Sequence, residues 1–208
     1  MGPFPHDAPK ATISDINPAG TDGFEFVEYA HPDPAVLDRI FRQMGFAPVA
    51  RHKTRDITLY RQGDINYLLN ADAGTHAAGF VTEHGPCAPA MAWRVVDAQA
   101  ALKRALDLGA TEYTGPGKSI GAPAVYGIGG SLLYFIDKYG AEGSAYEADY
   151  AWLDEVNPRP GQVLRDGGER LRIDVDQGEF AARLREARGD SEAQAFGAAS
   201  DGHTSPLR

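Results

Sequence analysis

Residues 57–70, ITLYRQGDINYLLN, restrict this chain's fold more than any other stretch. Two short apolar runs of period two flank Gln62, Gly63 and Asp64. In an extended chain Ile57 and Leu59 share one side, as do Ile65, Tyr67 and Leu69. Glycine beside aspartate supplies the positive φ of a tight turn, so the segment reads as a β-hairpin with one buried face. Its ending, Tyr67-Leu68-Leu69-Asn70, has an echo in Tyr134-Phe135-Ile136-Asp137, and the junction Met44-Gly45-Phe46 has another in Leu108-Gly109-Ala110. Both echoes lie roughly sixty-five residues downstream, which predicts one structural unit used twice.

The elements around the hairpin fill out that unit. Residues 23–30, GFEFVEYA, read as a strand in which Phe24 and Phe26, with Val27 beside them, alternate with Glu25 and Glu28. Asp33 is a candidate cap and Pro34 a first-turn residue for a helix carrying Val36, Leu37, Ile40, Phe41 and Met44 at helical spacing, stopped by Gly45. Residues 46–52 form the next strand, and the hairpin completes the unit. The connector at 70–89, with Phe80, His84, Gly85 and Pro86, reads as too broken for a long element. The pattern then restarts with a strand at 91–96 and an Asp97-capped helix whose stripe is Ala98, Ala101, Leu102, Ala105, Leu106 and Leu108, ended by Gly109. Strands at 111–113, 124–126 and 132–136 complete it. Gly127, Gly129 and Gly130 resemble a phosphate-cradling loop only superficially, since neither a helix nor a GKS or GKT follows, and they read as a turn.

Two strand-helix-three-strand units are the plan of the vicinal-oxygen-chelate (glyoxalase/bleomycin-resistance/dioxygenase) fold. A half-open sheet with an apolar inner face gains stability by meeting its twin and enclosing a cup. The expected class is therefore α+β, with two paired βαβββ modules at about 23–70 and 90–137 inside a domain spanning 23–153. Residues 1–22, rich in Pro, Ala, Asp and Gly, read as a disordered arm. Residues 154–208 read as a linker and a poorly ordered tail, with a short helix carrying Phe180, Leu184 and Ala187.

A formal charge of −9, with Lys and Arg dispersed, disfavours nucleic acid and anionic lipid as partners. Cys87 is the only cysteine, which excludes an internal disulfide and a cysteine-rich zinc site, and a small inert thiol is the ordinary reading. The N-terminus lacks the basic start and apolar core of a signal peptide, and no apolar run reaches the roughly 18 residues of a membrane span. A cytoplasmic setting is the expectation.

Five segments together strongly resemble the N-terminal half of bacterial 4-hydroxyphenylpyruvate dioxygenase, with hydroxymandelate synthase as a near relative. They are GFEFVEYAHPDP, MGFAPVARHKTRDITLYRQGDINYLLN, FVTEHGP, MAWRVVDAQAALKRALDLGA and GIGGSLLYFIDKYG, in order, over residues 23–153. The resemblance implies a non-haem Fe(II) enzyme of tyrosine breakdown that uses the 2-oxo acid group of 4-hydroxyphenylpyruvate and O2 to make homogentisate and CO2. It also implies that the iron ligands, two His and one Glu, belong to the other half, and that the half resembled here is metal-free. For this chain alone, catalytic, cofactor-binding and metal residues are accordingly expected to be none.

Beyond Pro160 the family's Ile-Asp-His-Leu-Thr-His segment is missing. Ile173 and Asp174 could mark its place, but Val175 stands where the first iron-binding His belongs, and His203 is the only later His. The tail reads as a native replacement or, by preference, as the product of a frame shift that turned the catalytic half into unrelated sequence. The chain is thus expected to be a truncated, inactive dioxygenase-like protein. The alternatives are a non-catalytic binding or oligomerisation module, pairing with itself or an intact paralogue, and a stand-alone metal enzyme of the same fold. The last needs ligands converging in the cup. Glu25 and Glu28, three apart on a strand, are expected to face opposite sides, while His31, His52 and His84 lie on different segments. Asp137, Lys138 and Tyr139 read as an exposed turn, and Trp93 and Trp152 as core or interface anchors.

Overall fold

In the computed structural model, residues 10–153, 162–164 and 170–172 are described. The tail helix expected around Phe180, Leu184 and Ala187, and Val175 and His203, lie outside them. The chain divides into two compact units, Met1–Leu171 and Arg172–Arg208, and the architecture that follows belongs to the first.

β1 (Thr21–Ala30), α1 (Pro34–Gln43), β2 (Ala47–His52), β3 (Ile57–Gln62) and β4 (Ile65–Asn70) make the first module. After α2 (His76–His84) come β5 (Cys87–Val95), α3 (Ala98–Asp107), β6 (Ala124–Tyr126) and β7 (Leu132–Ile136), and β8 (Tyr150–Trp152) follows. One eight-stranded sheet runs β6-β7-β5-β1-β4-β3-β2-β8. Within each module the first strand pairs in parallel with the last, β1 with β4 and β5 with β7, and β1 joins β5 antiparallel at the seam. The repeated unit is therefore real, and the α+β, vicinal-oxygen-chelate-type class expected from it is observed. Two further short strands, β9 (Gln162–Leu164) and β10 (Arg170–Arg172), form a sheet of their own.

Local chemistry explains the helices. Asp33 caps α1 by accepting from the Ala35 N–H, Pro34 occupies the first turn, and the chain leaves through Gly45 at φ 89°. Asp97 caps α3 by accepting from the Gln99 and Ala100 N–H groups, and Asp137 Oδ2 takes a third orphan donor, Ala98 N, at 3.0 Å. Asp97→Ala should therefore cost about 1 kcal/mol, the usual loss for a helix cap, which a urea midpoint would read. Asp137→Ala should add to it.

Both faces of the sheet are covered. On the outer face α1 presses Phe41 onto Phe46, Tyr60 and Leu69, and α3 presses Ala98 and Ala101 onto Val95. On the inner face Phe26, Ala50, Leu59, Leu68, Ala92, Ala124, Tyr134 and Tyr150 belong to one cluster. Side chains from both edge strands, β6 and β8, reach that cluster, so the sheet must curl into a cup.

The hairpin at 57–70 forms, with Gln62 opposite Ile65 and Gly63 at φ 58°, but it has two buried faces rather than one. Leu59 and Leu68 point into the cup, while Tyr60 and Leu69 meet α1. A strand covered on one side by a helix and on the other by its twin module has no solvent face.

Three other expectations change. Residues 76–84 of the connector form α2, because Gly85 and Pro86 fall after the helix rather than inside it. Residues 111–113 make a single bridge, Glu112 to Val125, instead of a strand. The arm is tied down from Lys10 to Asp22. Lys10 Nζ pairs with Glu142 at 2.7 Å, Asp22 accepts from Ala11 N and Tyr139 Oη, and Asn17 caps the turn leading into β1. Its side-chain polar groups find partners that its composition did not advertise. The turn reading of Gly127, Gly129 and Gly130 fits the short 3-10 segment Ile128–Gly130. No helix among the described residues is long and apolar enough to cross a membrane.

Candidate functional site

The cup is where two paired modules could converge chemistry, and its interior is packed by Phe26, Leu68, Tyr134, Tyr146 and Tyr150, each under 2% exposed. Two polar networks are embedded in it, one at each end.

At the first end β1 carries a bulge between Phe24 and Phe26, since Phe24 pairs with Trp93 and Phe26 with the next residue, Ala92. The extra residue, Glu25, is only 6% exposed. Its Oε2 accepts from Arg94 Nε at 2.5 Å and its Oε1 from Asn66 Nδ2 at 3.1 Å. Asn66 Oδ1 in turn accepts from Arg61 Nε, and the Arg61 guanidinium lies over the rings of Tyr146 and Trp152. The Arg94 guanidinium lies over Tyr139.

At the other end Glu28 is 3% exposed. Its Oε1 accepts from Asn70 Nδ2 at 2.6 Å, and its Oε2 makes a short hydrogen bond with Ser119 Oγ. Ser119 also donates its backbone N–H to Tyr134 Oη, and its carbonyl accepts from Tyr150 Oη at 2.8 Å. Thr75 Oγ1 donates to Asn70 Oδ1. Burial, only partly offset by the bonds from Ser119 and Asn70, pushes the Glu28 carboxyl above its ordinary range. Burial also raises the Tyr134 hydroxyl, and the neighbouring Glu28 adds to the effect.

Glu25 and Glu28 thus both turn inward, contrary to the opposite faces expected from strict alternation, because the bulge breaks the period of two. They still cannot share a ligand. Their partners Asn66 and Asn70 are four residues apart on β4, roughly 13 Å at strand rise, with Leu68 between them.

The four described histidines do not converge. His31 Nδ1 accepts from Asp33 N in the loop before α1, and His52 Nδ1 accepts from Thr54 N while its ring meets Tyr150 edge-on. Burial lowers the His52 pKa, with Asp149 opposing. His84 ends α2 beside Phe80. His76, which the sequence did not single out, bonds Gly130 O at 2.9 Å and packs on Tyr113. Among the described residues no group of three or more His, Cys, Asp or Glu is placed to hold a metal. A facial triad needs two His and a carboxylate converging, whereas the two carboxylates in the cup are held apart and without a His, Glu25 by Arg94 and Asn66 and Glu28 by Ser119 and Asn70, so the donor set of the described residues does not fit iron.

The remaining candidates have the following surroundings. Burial raises the Cys87 thiol, with the Glu28 charge adding, which makes it a poorer nucleophile. Asp137 caps α3, Lys138 pairs with Glu147 at 2.7 Å, and Tyr139 holds Asp22, so this exposed-looking turn is a clamp. Trp93 packs on Phe24 with centroids 4.2 Å apart. A surface depression of about 310 Å³ lies outside the cup, between α3 and residues 118–123, but its Lys118 ammonium is spent on Ala122 O.

The model of the N-terminal domain of hydroxyphenylpyruvate dioxygenase (HPPD) matches residues 16–151. The 4-hydroxyphenylpyruvate dioxygenase of Pseudomonas sp. (strain P.J. 874) is 48% identical over 147 residues, covering 69% of this chain and 41% of the relative. Hemolysin VllY of Vibrio vulnificus is 48% identical over 153 residues, covering 71% and 42%. The chain spans less than half the length of these curated relatives. Among solved structures, a xylose isomerase-like TIM barrel/4-hydroxyphenylpyruvate dioxygenase fusion protein matches with a TM-score of 0.60 and 34% identity, covering 70% of this chain and 23% of its own. A 4-hydroxymandelate synthase mutant from Streptomyces coelicolor matches with a TM-score of 0.53 at 19% identity, over 69% and 45%, and shares the fold.

Proposed function

This chain belongs to the hydroxyphenylpyruvate dioxygenase family through that family's N-terminal domain, and from that premise we propose that it is the iron-free, supporting half of a 4-hydroxyphenylpyruvate dioxygenase-type protein. The observation that carries the reading is the interior of the cup. Aromatic side chains fill it, Phe26 stands on the inward face of the first strand, and the one carboxylate at its far end is engaged by Ser119 and Asn70.

The family reaction, Fe(II)-dependent conversion of 4-hydroxyphenylpyruvate and O2 to homogentisate and CO2, then requires ligands that the described residues do not bring together. Past Pro160 the sequence has Val175 where the resemblance places an iron-binding His. The purified chain supplied with Fe(II), ascorbate and 4-hydroxyphenylpyruvate should consume no O2 above background. Fe(II)-dependent O2 uptake with homogentisate release would overturn the proposal.

A further inference from the structure

The segment between α3 and β6 contains a stretch without regular structure that enters the cup. From Gly115 to Ala122 it is irregular, yet Ser119 is 1% and Ile120 3% exposed. It closes the end of the cup where β1 and β4 finish. Its backbone is held at the rim by His76 N on Gly117 O and Gly121 N on Asp149 Oδ2, and inside by Ser119 N on Tyr134 Oη and Tyr150 Oη on Ser119 O; among the described residues its bond to a carboxyl inside the cup is the one from Ser119 to Glu28.

We infer that Glu28 and Ser119 form a proton-dependent latch: with Glu28 uncharged the loop is seated in the cup, and when Glu28 ionises the loop lifts and opens the interior to water. The geometry around Glu28 carries this. The groups that bond the carboxyl, and the titratable groups beside it, are neutral or acidic. β4 brings Asn70 and the loop Ser119, while Cys87 of β5, Tyr134 of β7 and Tyr150 of β8 lie near enough that ionising Glu28 would raise each of them. No Lys, Arg or His faces it among the described residues. The contrast with Glu25, equally buried but paired to Arg94, is within the same strand. An ionised carboxylate in such a place gains stability by reaching water, and the loop is the irregular segment bonded directly to it.

The linkage has a definite sign. The folded-state pKa is raised, so the closed form binds the proton more tightly than the open form. Closure is fully favoured below the ordinary glutamate range and weakens as pH rises from there until Glu28 has ionised in place. Across that window loop opening should increase tenfold per pH unit.

Amide hydrogen exchange on the full chain from acid to mildly alkaline pH, corrected for the intrinsic pH dependence of exchange, reads this directly. In the wild type, protection of the Ser119 and Ile120 amides should fall tenfold per pH unit while remaining below that of Leu59 and Leu68 in the core. Glu28→Gln, which keeps the shape and one acceptor, should abolish the slope. Loop amides that show no slope while core amides do would mean that opening never exposes Glu28, and would overturn the latch. Should Glu28→Gln fail to fold, Ser119→Ala and the carboxyl 13C titration of Glu28 in the wild type decide. Ser119→Ala must lower loop protection at acid pH, and Glu28 must titrate above the ordinary carboxylate range. Unchanged protection or an ordinary titration would overturn the latch.

Discussion

Phe26→Ala is expected to lower the unfolding free energy by about 3–5 kcal/mol, the usual cost of emptying a buried aromatic site. That is a large part of the 5–15 kcal/mol that typically holds a domain together. Phe26 is 1% exposed and its ring packs against Tyr134 at 5.6 Å and Tyr146 at 6.3 Å. β1 is the strand that pairs with both β4 and β5, so the cavity would open on the seam between the modules, on the face opposite α1 and α3. Phe24 is the control on the same strand. At 53% exposed and stacked on Trp93, its replacement by Ala should cost no more than about 1 kcal/mol. Urea denaturation of both variants reads the contrast, and a Phe26→Ala loss as small as that of Phe24→Ala would show that the cup interior is not the packed core described above.

Arg94→Ala should be comparably damaging, at about 3–5 kcal/mol, because it strands a buried charge rather than only deleting a contact. Glu25, 6% exposed, would lose its guanidinium partner and keep the Asn66 amide, and the Tyr139 ring would lose the guanidinium over it. The pair as a whole is worth less than this number, since its desolvation offsets much of the attraction. The double replacement Glu25→Leu with Arg94→Met should therefore recover most of the stability lost in Arg94→Ala. A double variant as unstable as the single one would place the cost in lost packing instead of in the stranded carboxylate.

The two glutamates show where reading the sequence succeeds and where it stops. Strict alternation along residues 23–30 assigns Glu25 and Glu28 to opposite faces, and a single bulge between Phe24 and Phe26 defeats that assignment. A bulge depends on how β5 lies alongside β1, and nothing in the residues of β1 alone announces it. Glu28 was nonetheless legible in part, since it shares a period of two with Phe26 and Ala30, both buried. Ser119 was not, because it sits in a stretch rich in Gly and Pro with no periodicity and finds its partner 91 residues away. His76 was hidden for a related reason: the glycines and proline of the connector suggested a break, while α2 accommodates Gly79 and ends before Gly85 and Pro86.

What the sequence by itself determined is the set of features whose physics is complete within a few residues. These are the Gly63 hairpin turn, the Asp33 and Asp97 caps, the exits at Gly45 and Gly109, and the order of elements that repeats and so implies paired modules. Each depends on a side chain or a φ angle meeting its own neighbouring backbone. The tertiary structure alone decided which faces are buried twice, which carboxylate receives a guanidinium and which receives only hydroxyl and amide groups. Those outcomes depend on groups 42 to 91 residues apart in the chain, and only the closing of the cup brings them within hydrogen-bond reach.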